Sequence, residues 1–206
     1  MKPILFNTEM VRSILDGNKT QTRRLIKTPE CFNHEIDLRL RINADNTRTA
    51  FVSFVDDMGK CKTIFAPYCK NDVLYVREKL YRTYYQAFDE ETYYAADYFG
   101  KPDWVARVVP SIHMPKEEAR IFLRVTDVRV ELLREITNDD ALAEGAKGGT
   151  FMYGDEYPVD VEPRQDFAQI WDETIKPQDR DRFGWDANPL VWVICFERIS
   201  KEAADE

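Results

Sequence analysis

The sequence predicts a mixed α+β domain with a curved sheet or barrel and flanking helices. Three observations predict it. Apolar residues alternate over 35–42 and along 120–133, the period of strands with one buried face, and Leu190 to Ile199 carries the apolar run of a buried strand. Helical stripes occur near residues 10–15, 138–144 and 164–175. Strands and helices do not alternate regularly, which excludes a doubly wound parallel sheet.

In chain order, Thr8 is placed to cap a helix with Met10, Val11, Ile14 and Leu15 on one side, and Gly17 stands where that helix should stop. Glu35 to Ile42, Thr47 to Val55 and Lys60 to Phe65 read as a three-stranded β-meander. Its turns fall at Asn43 to Asn46 and Asp56 to Gly59. Val73-Leu74-Tyr75-Val76 is a short buried strand ending in Arg77-Glu78. The next thirty residues are rich in Tyr and Phe without a clean period and read as loops and short strands. Prolines at 110 and 115 bound a rigid segment containing His113.

Arg120 to Leu133 reads as a long strand, and the parity change between Val125 and Val128 predicts a bend near Asp127. Thr137-Asn138-Asp139-Asp140 opens a capped helix that stops at Gly145. Ala146 to Pro163 reads as an exposed loop, Arg164 to Ile175 as a helix burying Phe167, Ile170 and Trp171, and Leu190 to Ile199 as a final buried strand. The tail over 201–206 is acidic and expected to be disordered.

The 206 residues, 44% hydrophobic, suffice for one folded domain with insertions. No apolar run is long enough to span a bilayer, and the N-terminus lacks a leader's apolar region. A cytoplasmic protein without membrane contact is expected. A net charge of −8 argues against a broad duplex-binding surface. Between Met1 and Glu30, however, six Lys or Arg face three acids. A modified nucleoside or a short single strand fits a small basic cleft better than long DNA. Cys31, Cys61, Cys69 and Cys195 form no C-x-x-C pair. Cys31-x-x-His34 with Cys61 and Cys69 supplies the residue types of a Cys3His site, but the 61–69 spacing does not suit a zinc knuckle. Reduced thiols, no metal and no cofactor are expected.

Gly17-Asn18-Lys19-Thr20-Gln21-Thr22-Arg23-Arg24 concentrates an amine, two hydroxyls and two guanidinium groups. A Lys and a Thr held together can serve as base and nucleophile, and the arginines can hold a phosphate or a carbonyl oxygen. A basic loop after a helix stop is the competing reading. Trp185 is a candidate to stack on a base, and Asn188, beside Asp186, could read a base edge or build the turn before Pro189. His113 could shape a pocket floor. Trp171 and Trp192 fall on core stripes.

The stretch resembles the ASCH signature G-x-K-x-x-[E/T]-x-R, with Gly17, Lys19, Thr22 and Arg24 in register. ASCH domains are a branch of the PUA-like β-barrel superfamily. The form with Thr is that of small bacterial amidohydrolases that deacetylate N4-acetylcytidine. Their Lys and Thr act with a Glu on the helix opened here by Ile136-Thr137, which corresponds to Glu144. Pro3 to Phe6, Val76 to Glu78, Pro110 to Pro115 and Trp185 to Pro189 also resemble a longer set of ASCH-like proteins of bacteriophages.

The resemblance implies a single PUA-like domain over 1–200, with insertions at about 31–66 and 81–110. It implies catalytic Lys19, Thr22 and Glu144; Arg24, Arg23, Trp185, Asn188 and His113 are the candidates to bind the substrate. In this chemistry Thr22 or a water attacks the amide carbon, Lys19 takes the proton, Glu144 protonates the leaving amine and Arg24 holds the carbonyl. Phage-type relatives often carry Trp-Arg where this chain has Val108-Val109, so that contact is absent or falls to Arg107. The alternatives are a non-catalytic reader of modified bases in RNA or DNA, a ribonuclease, and a phage protein whose added surfaces bind a host protein partner. A structural Lys19–Glu144 ion pair is the plainest reading of the two charges.

Overall fold

The computed structural model describes residues 1–27, 35–42, 48–55, 61–83, 91–153 and 157–205, with side chains throughout except in parts of the meander and of the 149–161 segment. The expected turns at 43–46 and 56–59, and Cys31 with His34, lie outside the described residues.

The chain opens with β1 (Lys2–Leu5), α1 (Thr8–Leu15) and β2 (Gln21–Leu25). The meander follows as β3 (Glu35–Ile42), β4 (Arg48–Val55) and β5 (Cys61–Phe65). Next come β6 (Val73–Arg77), β7 (Leu80–Thr83), β8 (Tyr93–Tyr94), β9 (Val105–Val109) and the long β10 (Phe122–Leu132). The remainder is α2 (Asn138–Ala143), β11 (Gly149–Tyr153), β12 (Tyr157–Val161), α3 (Pro163–Thr174), α4 (Arg180–Phe183), β13 (Leu190–Ile199) and α5 (Lys201–Asp205). The class is mixed α and β. None of the described sheets closes into a barrel, so the expected curved barrel appears as open sheets.

The residues group into two compact units. The first comprises Met1–Lys19, Asn71–Arg124 and Glu197–Glu206, and the second Thr20–Lys70 and Val125–Phe196.

In the first unit β1 pairs in parallel with β6, and β6 pairs antiparallel with the start of β10. A separate sheet has the order β8-β7-β9. Leu80, Val109, Met114, Ala119, Phe122 and Ala204 form one core. Tyr81, Ala95 and Val105 form another, packed against Tyr93, Tyr98 and Trp104. Asn7, not Thr8, caps α1, its side chain accepting from the Met10 N–H at 2.8 Å. Both residues suit a cap, and the helix begins one residue earlier than the apolar stripe suggests. Gly17 closes α1 at φ +78, a conformation that disfavours residues with a Cβ.

A buried ion-pair network organises this unit. The Glu78 carboxylate, 1% exposed, accepts from Arg120 Nε at 2.9 Å and Nη2 at 3.0 Å. Arg120 also donates twice to Asp97 at 2.8 Å, and its guanidinium lies 3.8 Å from the centre of the Tyr94 ring. Burial pushes the Glu78 carboxyl above its ordinary range, against the pull of Arg120. Arg12 of α1 donates to the carbonyls of Ala96 and Tyr98. Residues 94–98 of the tyrosine-rich stretch are thus held by two arginines.

In the second unit the strand order is β10-β13-β2, beside the meander β3-β4-β5 and the hairpin β11-β12. The hairpin replaces the exposed loop expected over Ala146 to Pro163. Its glycines and prolines obscured a run of Thr, Phe, Tyr and Val, residues that favour strands. Thr137 caps α2 and exchanges hydrogen bonds with Asp140, as the sequence predicted. Leu133, Ile136, Ala141, Phe167, Trp171, Val191 and Val193 make the core between α2, α3 and β13.

Two further differences concern segments whose signals are short. β1 was not evident in the sequence, because four residues including a proline carry little pattern and their partner β6 is distant. The tail over 201–205 is helical rather than frayed. Ser200 Oγ accepts from the Ala203 N–H, Arg124 donates to the Ala203 carbonyl, and Ala204 is buried. Along β10 the buried side switches between Val125 and Val128, in line with the parity change. Among the described residues no helix is long and apolar enough to cross a membrane.

Removing the Glu78 carboxylate leaves Arg120 half-buried with one partner fewer. Glu78→Ala should cost about 3–5 kcal/mol, read as a lowered midpoint in urea. The double variant Glu78→Ala with Arg120→Met should recover part of that loss.

Candidate functional site

Strand β2 carries most of the motif and alternates its side chains between two faces. Thr22 and Arg24 project to one face, opposite Ile194 and Trp192 of β13. Gln21 and Arg23 project to the other, opposite Cys195 and Val193. The Thr20 N–H donates to the Ala143 carbonyl at 2.8 Å, and the Phe196 N–H donates to the Thr20 carbonyl at 2.8 Å. These bonds set the start of the strand against the end of α2, where Glu144 stands.

Thr22 is 2% exposed and Glu144 is 7% exposed. Arg23 is fully buried along its side chain. Its Nη1 donates to Glu144 Oε1 at 3.3 Å, and its Nη2 donates to Glu131 Oε2 at 2.7 Å and lies 3.5 Å from Asp140 Oδ2. Its Nε has no hydrogen-bond partner among the described residues, and its guanidinium carbon lies 6.0 Å from the Phe167 ring centre. Arg129 extends the network. It donates to Glu131 Oε1 at 2.5 Å and to Cys195 Sγ at 3.1 Å, and its Nη2 is 3.6 Å from Asp140 Oδ1. Gln21 donates to both the carbonyl and the carboxylate of Asp140.

Burial holds the Arg24 guanidinium below its usual pKa, opposed by the Tyr68 phenol and the Glu144 carboxylate. The group remains a cation at neutral pH. Burial likewise raises the Cys195 thiol, against the attraction of Arg129. Burial also acts to raise Asp140, but the hydrogen bonds from Gln21 and Thr137 and the charge of Arg23 outweigh it and hold that carboxyl below its usual range.

Lys19 belongs to the first unit and is 2% exposed. Its backbone N–H donates to the Ser13 carbonyl at 3.0 Å, and its Nζ lies 5.7 Å from the Phe6 ring centre. His113 is exposed at the end of a single 3-10 turn, Ser111–His113, in the same unit. Arg107 is exposed on β9, in register with Arg82.

In the second unit Trp185 is half-buried, with the Arg164 guanidinium 5.2 Å from its ring centre and Phe167 edge-on at 6.3 Å. Its N–H donates to Asp172 Oδ1 at 2.7 Å. Asn188, at φ +48, accepts from the Arg134 N–H at 2.7 Å and so fastens the turn before Pro189. Trp171 and Trp192 are buried.

Glu131, Asp140, Arg129 and Gln21 were not singled out as site residues in the sequence. A signal existed for two of them. Asp127, Arg129 and Glu131 form a charged stripe at period two on β10, which places them on one strand face. Asp140 reads as a cap residue and serves both roles. Among the described residues no group of three His, Cys, Asp or Glu is placed to hold a metal ion.

Asp140 should make stability sensitive to acid. A carboxyl held below its unfolded value of about 3.9 contributes stability that is complete above that pH. The contribution is lost as pH falls through the folded value. Asp140→Asn should therefore flatten the fall of Tm with pH below about 4, measured by scanning calorimetry.

No family model, curated protein or solved structure matches this chain.

Proposed function

We propose that this protein is an amidohydrolase acting on a modified nucleoside or nucleobase such as N4-acetylcytidine, on a PUA-like, ASCH-type fold. The observation that carries the reading is the burial of the motif's reactive groups. Thr22 and Glu144, far apart in sequence, stand on segments tied by the Thr20–Ala143 hydrogen bond, and both are nearly inaccessible. Burial of hydroxyl, carboxylate and amine groups is costly unless they are partnered, and reactive sites are where such groups collect. Lys19, three positions before Thr22, is buried as well. The order of helix stop, short strand, long strand and Thr137-capped helix supports the fold assignment.

In the reaction, a water oxygen or Thr22 Oγ bonds to the acyl carbon and its proton passes to Lys19. The amide C–N bond breaks, and Glu144 supplies the proton taken up by the leaving nitrogen. The Arg24 guanidinium bears the charge that develops on the carbonyl oxygen. If Thr22 attacks, a second water releases the acyl group as its acid. The products are a carboxylic acid and the free amine of the base.

A second reading, a non-catalytic reader of a modified base, is favoured by the 3.3 Å contact between Arg23 and Glu144. A carboxylate held by a guanidinium suits acceptance of a base N–H better than donation of a proton.

Incubation with N4-acetylcytidine and other acylated nucleosides, followed by chromatography of the deacylated product, tests the proposal. Lys19→Ala, Thr22→Ala and Glu144→Gln should each reduce turnover by about 100-fold or more, while Thr22→Ser retains part of it. Turnover that survives Lys19→Ala and Thr22→Ala overturns the reading. Tight binding of the same nucleosides without turnover assigns the protein to the reader class.

A further inference from the structure

We infer that Arg23 is a positioning residue for Glu144, acting from behind the strand that carries Thr22 and Arg24, and that it makes no contact with substrate. The inference rests on the reading above for what Glu144 does, but its geometry stands alone. Adjacent residues of a strand point to opposite faces. The cross-strand partners agree, since Thr22 and Arg24 lie opposite Ile194 and Trp192, whereas Arg23 lies opposite Val193. Val193 belongs to the core made by α2 and α3. The Arg23 side chain has no exposed surface and lies on the strand face that packs against that core, the face opposite to Thr22.

What it does meet is acidic. One terminal nitrogen serves Glu144, and the other serves Glu131 and Asp140. Nε has no partner among the described residues, so the group is oriented by its two terminal nitrogens. A planar fork can bridge carboxylates on two elements, which a lysine ammonium does with less directional control. Arg23 thereby fixes the Glu144 Oε1 atom relative to β10 and to the start of α2. The basic pair of the motif has two separate duties, with Arg24 on the Thr22 face and Arg23 behind it.

The test is carboxyl labelling of the intact protein with a water-soluble carbodiimide and glycine ethyl ester, read at Glu144 by peptide mass spectrometry. Glu9, whose side chain is 77% exposed, gives the reference reactivity. Arg23→Gln should raise labelling of Glu144 at least about 10-fold, because the carboxylate loses the guanidinium that holds its Oε1 atom. Should that variant not fold, Arg23→Lys keeps the charge and loses the fork, and labelling should rise about threefold. Unchanged labelling in a folded variant overturns the inference.

Kinetics on N4-acetylcytidine add an independent arm. For Arg23→Lys, kcat should fall on the order of 10- to 100-fold with KM within about twofold of the parent. A raised KM at constant kcat would mean substrate contact and overturn the assignment. If the parent protein turns over no acylated nucleoside, the hydrolase reading fails, and the labelling result alone decides the role of Arg23.

Discussion

One buried cation, the guanidinium of Arg23, holds together the polar part of the second unit. It joins β2 to β10 through Glu131 and to α2 through Asp140 and Glu144. Taking an arginine out of water costs several kcal/mol, and a single carboxylate seldom repays that. Three do so here because they share two nitrogens and because Arg129 and Gln21 supply further donors to Glu131 and Asp140. The arrangement is therefore mutually dependent, since removal of any acid takes an ion-pair partner from a guanidinium with no exposed surface.

The first unit uses the same device on a different scale. Arg120 is shared between a buried carboxylate and an exposed one, and it covers the Tyr94 ring. There the cation orders a loop rather than a helix end. Together with Arg12, which grips the backbone at Ala96 and Tyr98, it fastens residues 94–98, where the sequence shows no periodicity. Side chain to backbone bonds of this kind replace the regular ladders that short strands cannot provide.

Much of the fold was legible in the sequence. The meander, β10, the Thr137 cap, α3 and β13 all announce themselves through period or punctuation, because each buries one face of a regular element. What escaped notice was set by distant contacts. β1 depends on β6, and α5 depends on Arg124 and Ser200. The β11-β12 hairpin carried strand-forming residues, but its glycines and prolines read as loop punctuation.

The ASCH resemblance singled out Lys19, Thr22, Arg24 and Glu144 as candidate site residues; Lys19, Thr22 and Glu144 are buried and Arg24 is half-buried, and their chemical role remains the proposal. The pairing of Arg23 with acids far along the chain left no local trace, because strand alternation says which face a residue takes but not what waits there. Asn188 shows the converse. Its side chain makes the turn bond, one of the two roles the sequence left open.

The tryptophans divide unevenly between the units, and this gives the protein a built-in optical asymmetry. Trp104 lies in the first unit, within 4.7 Å of Tyr93 and 5.4 Å of Tyr98, ring centre to ring centre. Trp171, Trp185 and Trp192 lie in the second. Indole emission therefore reports chiefly on the half that holds Arg23 and Glu144. The tyrosine-sheathed Trp104 is the lone indole whose colour follows loosening of the other half.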